Sequence, residues 1–542
     1  MFTASAPAVY TWTGAVDGNY RTSGNWSVND EATTVVPGAL DTIRFVASDE
    51  TTVTLDADVQ VVAMIIEGSK TFTLTNPGAT TNTLTLASVT SSATVVPVIN
   101  CRVQFTDKYT VSFTSKAVKF AGGATATTWD LSNTALSPTS ELTGNITFTG
   151  TLTAPSAQAD RLYVMGGSVV NCAAVVLPYC SNNYKATAHF IVKNDGVLNC
   201  GSVTQKGLSS QFNNVANCVM LYTETRGVIN VTGNFTQTRG GRVGIWKCGG
   251  ALRVYSYGVL NMDGLVVNNT SGNEWLSFEQ QKANIGPGGI VVKSTDKFAK
   301  GIIFAPWVRL GAYADYEISS EKSDPIIRLY QDLTFDTLDS VDGVTPRTIL
   351  VSANVHDEKT RNNDYQYGYN FAGGYIIKEN PGTLILSGDN TYSLGTTVNG
   401  GTLLAAHDHA LGTGPASVGA DGTLEIMEGV SVTNAVTLAA DATLLIDGAE
   451  ARTAAGTSVV GAIATPSTGT ANLKVVGDLS EETQNISIML GALAEGASVE
   501  ALTLDATELT LPKAGWRARL KAREGAFMLD VKKPTGMTLI VR

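Results

Sequence analysis

The most chemically loaded stretch of the chain is SANVHDEKTRNNDYQYGYNF, Ser352 to Phe371. It holds His356, Asp357, Glu358, Arg361 and Asp364, then tyrosines at alternate positions, Tyr365, Tyr367 and Tyr369. Carboxylates beside a histidine or arginine are the groups that polysaccharide-cleaving sites use as general acid and base, sometimes with calcium. Alternate tyrosines on a strand share one face, where their rings would stack on sugars. A solvated charged excursion, with the tyrosines closing the ordered segment after it, explains the same residues without a ligand, and we weight that plainer reading more heavily. The glycan-contact candidates are thus His356, Asp357, Arg361, Asp364, Tyr365, Tyr367 and Tyr369, and no catalytic set is assigned.

A second candidate is AAHDHALG, with His407 and His409 flanking Asp408. Two imidazoles spaced by two, with no third ligand nearby in sequence, are a weak metal signal. The DAD of Asp56 to Asp58 is weaker still. The chain has no G-x-S-x-G, no H-E-x-x-H and no phosphate loop. No metal, no cofactor and no enzymatic activity are expected.

These residues sit among elements that repeat. GVLNCGSVTQ begins at Gly196, GVINVTGNFTQ at Gly227, GVLNMDGLVV at Gly258 and a weaker GIVVKSTDKF at Gly289, each 31 residues after the last. Within a unit the pattern has period two: Val228, Asn230 and Thr232 fall on one side and Ile229, Val231 and Gly233 on the other, before a break at Arg239, Gly240 and Gly241. Period two predicts strands, and a fixed period of this length predicts units that bury their apolar face by stacking on one another. The expected fold is all-β, a parallel β-solenoid (β-helix) with strands pairing along its axis. Asn199, Asn230 and Asn261 of the G-V-[L/I]-N motif would then lie above one another, each amide donating to a neighbouring carbonyl at a buried corner, as a structural ladder.

Bulk composition agrees. The chain has 542 residues, beyond the size at which one compact core keeps growing, with 54 glycines and 16% charged residues, the composition of strands and turns. Its 37 Lys and Arg against 48 Asp and Glu give a net charge of −11 with no basic cluster, which argues against nucleic acid. No apolar run approaches the length of a membrane helix, so no membrane insertion is expected. The start, MFTASAPAVYTW, has no basic segment followed by an apolar one, so a secretory signal is absent or removed, and removal is the preferred expectation.

The six cysteines, Cys101, Cys172, Cys180, Cys200, Cys218 and Cys248, include no C-x-x-C. Cys172 and Cys200 each follow an Asn, and Cys218 and Cys248 fall at nearly matching places in successive units. Strands about 4.8 Å apart would permit disulfides between units; small buried thiols are the preferred expectation.

Two stretches resemble a known family. KENPGTLILSGDNTYSLGTTVNGGTLLAAHDHALGTGPASVGADGTLEI, Lys378 to Ile426, resembles the autotransporter-associated β-strand repeat of bacterial passenger domains at Gly382, Leu384, Leu386, Ser387, Gly388, Asn390, Thr391, Tyr392, Gly395, Thr396, Gly401, Thr402, Leu403, Leu411, Gly412 and Gly414, departing at Leu394, where the pattern has Gly. Thr11 to Phe45 resembles the N-terminal cap of large secreted proteins of this kind at Trp12, Gly14, Gly24, Asn25, Trp26, Pro37, Asp41, Ile43 and Phe45. The resemblance implies a right-handed parallel β-helix, secreted or displayed on the bacterial exterior, and implies no chemistry. The 116 residues after Ile426 do not repeat the amphipathic strands of a membrane barrel. Either a barrel belongs to a longer chain or the protein reaches the surface by another route.

The expected organisation is a cap over 1–50, a parallel β-helix with ~31-residue coils over 51–345, its continuation with the passenger repeat over 346–450, and a small antiparallel β-sandwich or cap over 451–542, whose last strands meet at KKPTGM. The expected function is that of an extracellular structural or adhesive surface protein, partnered by itself or by extracellular polysaccharide. A carbohydrate-binding or polysaccharide-cleaving β-helix is the alternative.

Overall fold

The computed structural model describes residues 7–113, 118–126, 129–130, 140–153, 161–177, 189–205, 220–224, 226–237, 241–244, 259–269, 275–279, 282–294, 301–304, 306–321, 327–329, 331–357, 373–452 and 458–533. These are strands and turns with three short 3-10 segments and no α-helix among the described residues. The chain divides into two units, Met1–Leu265 and Val266–Arg542.

The first unit opens with the strand Val9–Trp12, antiparallel to Trp26–Val28 on one side and parallel to Thr42–Ala47 on the other. The motif residues of this segment fill a small aromatic core. Trp26 is fully buried, its indole N–H donates to the Tyr20 carbonyl at 2.8 Å, and its ring packs against Trp12, Tyr20 and Phe45 at centroid distances of 5.1, 5.0 and 5.8 Å. Phe45 meets Phe72 of the next strand layer at 4.6 Å. Buried Asn25 closes the preceding loop, accepting from the Val16 and Asp17 amides and donating to Asp17 Oδ1 at 2.7 Å. Asp41 accepts from the Ala8 and Gly38 amides. Each of these polar motif residues therefore ties down loop backbone through its amides.

From Thr42 onward the strands described in this unit pair in parallel. Val169–Leu177 lies beside Val197–Gln205, which lies beside Val228–Gln237, with Val170, Leu198 and Ile229 aligned. With Leu260 these side chains are at most 2% exposed, one apolar residue per pass of the chain. The strands alternate because each buries one face. A β-carbon at Gly196 would lie 2.2 Å from the Val164 carbonyl oxygen, and one at Gly227 would lie 2.0 Å from that of Val192. The glycines that start these two repeats are thus required by close approach of the neighbouring pass.

The 31-residue step expected over 51–345 is local. Aligned residues are 21 apart at Ile43 and Met64, 19 at Leu84 and Val103, 24 at Thr147 and Asn171, 28 at Asn171 and Asn199, and 31 at Asn199 and Asn230. The strands keep register while the connections between them vary in length, so the period tracks the loops.

In the second unit the parallel ladder passes through Asp332–Asp339, Tyr375–Glu379 and Gly395–Ala405, and through Arg347–Val351, Gly382–Leu386 and Gly395–Ala405. Leu384, Leu403, Leu424 and Leu444 then align in steps of 19, 21 and 20 residues. The ladder continues beyond residue 450: Ala471–Val475 pairs in parallel with Thr443–Ile446, and Leu502–Asp505 with Ala471–Val475. Among the described residues of this unit, antiparallel pairing occurs at an isolated Leu338–Pro346 bridge and at Ala526–Lys532, which lies between Ile486–Leu493 and Arg517–Arg523. The hairpin turn is Glu524–Gly525, both with positive φ (53° and 75°), the two-residue turn whose twist matches the strands. The turn expected in KKPTGM falls mostly on residues outside those described.

Candidate functional site

The strands of the passenger-like segment bury polar groups whose partners are almost all backbone. Asn390, 1% exposed, accepts from the Val355 amide at 2.8 Å and donates to the Ala410 carbonyl at 2.7 Å, joining the passes on either side of it. Tyr392 is fully buried and its hydroxyl meets Thr396 Oγ1 at 2.6 Å. Asn434 repeats the device one pass later, donating to the Gly412 and Gly414 carbonyls at 3.0 and 2.6 Å. Leu394, the departure from the repeat pattern, is exposed and does not have positive φ. The demanding conformation belongs to Gly395, with φ of 100° and its β-carbon position 2.0 Å from the Pro415 oxygen, so the leucine is tolerated.

Lys378 is fully buried, its ammonium donating to the carbonyls of Asn380 at 2.6 Å, Gly400 at 2.8 Å and Glu379 at 3.2 Å. Burial pushes it down to about 8, against the pull of the Asp336 and Glu379 charges. Beside it Arg309 bridges Asp336, at 2.7 Å, and Glu379. Burial acts to raise the Asp336 carboxyl, but hydrogen bonds from Asn380 and Arg309 outweigh it and hold the group below its ordinary range. An open groove of about 610 Å³ runs over this region, lined by Glu379, Asn380, Thr383, Asn399, Thr402 and Asp421 among others.

Of the glycan-contact candidates, Arg361, Asp364, Tyr365, Tyr367 and Tyr369 lie outside the described residues, as does Glu358. Asp357 is 7% exposed and its carboxylate accepts from the Gly374 amide at 2.6 Å and the Ser393 amide at 3.2 Å. Both of these bonds hold loop backbone in place. His356 is half-buried, with Nδ1 2.5 Å from Thr391 Oγ1.

His407 and His409 come together with a residue that sequence reading did not connect to them. Asp389, one pass earlier, places Oδ1 2.6 Å from His409 Nδ1, and ligand-type atoms of Asp389, His407 and His409 all lie within 4.8 Å of one another. The Asp389 carboxyl is held below its ordinary range chiefly by the His409 hydrogen bond, which outweighs the opposing effect of burial, with further help from the nearby histidines His409, His407 and His356. Asp408 turns away, accepting from the Ser431 amide at 2.8 Å. The missing signal was the register: Leu386 aligns with Ala405, which carries the turn after one strand onto the turn after the next.

The asparagines form a continuous ladder. Asn261 Nδ2 donates to Asn230 Oδ1 at 2.8 Å, Asn230 to Asn199 at 2.7 Å and Asn199 to Asn171 at 2.8 Å. Asn171 is a further rung, marked in sequence by the shared Asn-Cys pair. The ladder lies within the strands on their half-buried face, not at a buried corner, because these positions alternate with the core residues Leu198, Ile229 and Leu260. Cys101, Cys172 and Cys200 are free buried thiols; Cys172 and Cys200 are aligned neighbours facing the core. Cys180, Cys218 and Cys248 lie outside the described residues.

Comparison with known proteins agrees with this geometry. The passenger-associated-transport-repeat family model matches residues 376–405, the segment containing Lys378, Asn390 and Tyr392. The Adhesin BmaC autotransporter of Brucella suis biovar 1 (strain 1330) is 38% identical over 120 residues, 22% of this chain and 4% of that protein. The chain thus carries a repeat of the autotransporter passenger type, and its match spans a small fraction of the curated relative's length. No solved structure matches. No described helix is long and apolar enough to cross a membrane.

Proposed function

We propose that the chain is an extracellular structural or adhesive protein of the bacterial surface, acting without turnover. Its parallel strands would form the coils of a right-handed β-helical rod that assembles with copies of itself or holds extracellular polysaccharide. The observation that carries this reading is the use made of polar residues in the passenger repeat. Asn390, Asn434, Asp357 and Lys378 are all spent on backbone groups of their own or adjacent passes, which is the requirement of a stacked scaffold. The similarity to an adhesin supports display at the bacterial exterior and contact as the task.

Light scattering of the purified chain across a concentration series, with electron microscopy of the same samples, tests assembly. Growth into fibres or sheets supports self-association. A stable monomer that releases product from polysaccharides would overturn the proposal in favour of a cleaving enzyme.

A further inference from the structure

We propose that Asp389, His407 and His409 form a binding site for a divalent transition-metal ion of the zinc class, clipping two successive passes of the passenger repeat together. The three side chains come from two adjacent turns: Asp389 follows the strand Gly382–Leu386, and the two histidines follow Gly395–Ala405. Their donor set, two imidazoles and one carboxylate, is that of a zinc site with a position left for water, and imidazole selects such ions over calcium or magnesium.

Both turns are held by bonds that do not involve the ligands' metal-facing atoms. The Ala410 and Gly412 amides donate to the His407 and His409 carbonyls at 2.9 and 3.0 Å, and the Asp389 amide donates to Asn354 Oδ1 at 2.8 Å. Asn390, next to Asp389, fastens that turn to the Ala410 carbonyl beside the histidines. His407 Nδ1 accepts the His409 amide at 3.0 Å, which places the ring proton on Nε2 and makes Nδ1 the lone-pair nitrogen, so an ion bound through Nδ1 takes the place of that amide. The rings are 5.6 Å apart at their centroids. Zinc bonds of about 2.0–2.2 Å need ligand atoms roughly 3.3 Å apart, and the candidate atoms already lie within 4.8 Å of one another. Asp389 and His409 are exposed and His407 half-buried, so an ion has open access and exchanges with solvent.

The test is titration of the tag-free full chain with zinc chloride by calorimetry, with melting curves on the same samples. One equivalent should bind with a dissociation constant in the micromolar range and raise Tm by several degrees, while calcium chloride gives no signal. His407→Ala and His409→Ala should each weaken binding at least tenfold and abolish the Tm shift; Asp389→Asn should weaken it several-fold. His189→Gln, a histidine of the other unit, should bind as the parent does, and each variant's circular dichroism should match the parent. Absence of saturable binding below millimolar zinc, or affinity unchanged in both histidine variants, overturns the site.

Discussion

Replacing Asn390 with leucine removes two side-chain hydrogen bonds at once in a position only 1% exposed; it leaves the Val355 N–H without its partner, while the Ala410 C=O keeps the Tyr392 hydroxyl at 3.3 Å. An orphaned buried polar group costs about 1–3 kcal/mol. The orphaned Val355 N–H and the lost bond to Ala410 together cost about 3 kcal/mol, and burial of the leucine side chain offsets about 1 kcal/mol of that, so a net loss of about 2 kcal/mol is expected. Domain stabilities are typically about 5–15 kcal/mol, which makes the loss readable in urea unfolding followed by circular dichroism as a lower midpoint with unchanged slope. Asn399→Leu, at an exposed position of the same segment, should stay within about 0.5 kcal/mol. A loss below about 1 kcal/mol for Asn390→Leu, with the control unaffected, would refute the view that the repeat's asparagine joins adjacent passes.

The Lys378 ammonium titrates near 8 when folded and at 10.5 in its ordinary state. Between those values the unfolded chain binds more protons, so stability should rise with pH from about 8 to 9.5, and Lys378→Met should lack that rise; equal slopes in the two proteins would contradict the buried, charged assignment. Asn230→Leu should cost about 1–3 kcal/mol through the two ladder bonds it breaks, measured by the same unfolding assay, and a neutral outcome would remove the ladder from the account of stability. Burial pushes the Cys101 thiol up to about 12, and the Cys172 hydrogen bond followed by burial raises that of Cys200. These two and Cys172 should resist a thiol reagent until the chain is denatured, as read by peptide mass spectrometry, and native labelling would contradict their burial.

Local alternation and the repeat glycines were legible because each follows from a short-range constraint: the period of a strand, and the space left by a neighbouring carbonyl at Gly196 and Gly227. The Asn-Asn contacts followed from the same spacing, although their place on a half-buried strand face depended on which alternate set, Leu198 or Asn199, turned inward. The step between passes was not legible beyond the 31-residue zone, because connection length varies freely while strand register does not. The partnership of Asp389 with His407 and His409 was hidden for that reason: it exists through the alignment of Leu386 with Ala405, which no motif spells out. The backbone partners of Asp357 were not legible, because a carboxylate in a charged stretch looks the same in sequence whether it faces solvent or accepts from Gly374 and Ser393.

Display of the full chain on a non-adherent bacterium tests the proposed function most directly, scoring attachment to immobilised polysaccharide and cell-to-cell aggregation, with protease accessibility as the measure of surface exposure. The account predicts a several-fold gain in attachment or aggregation, lost in the Asn390→Leu variant if that variant unfolds on the cell. A folded, surface-exposed chain that changes neither property would contradict an adhesive or self-assembling role.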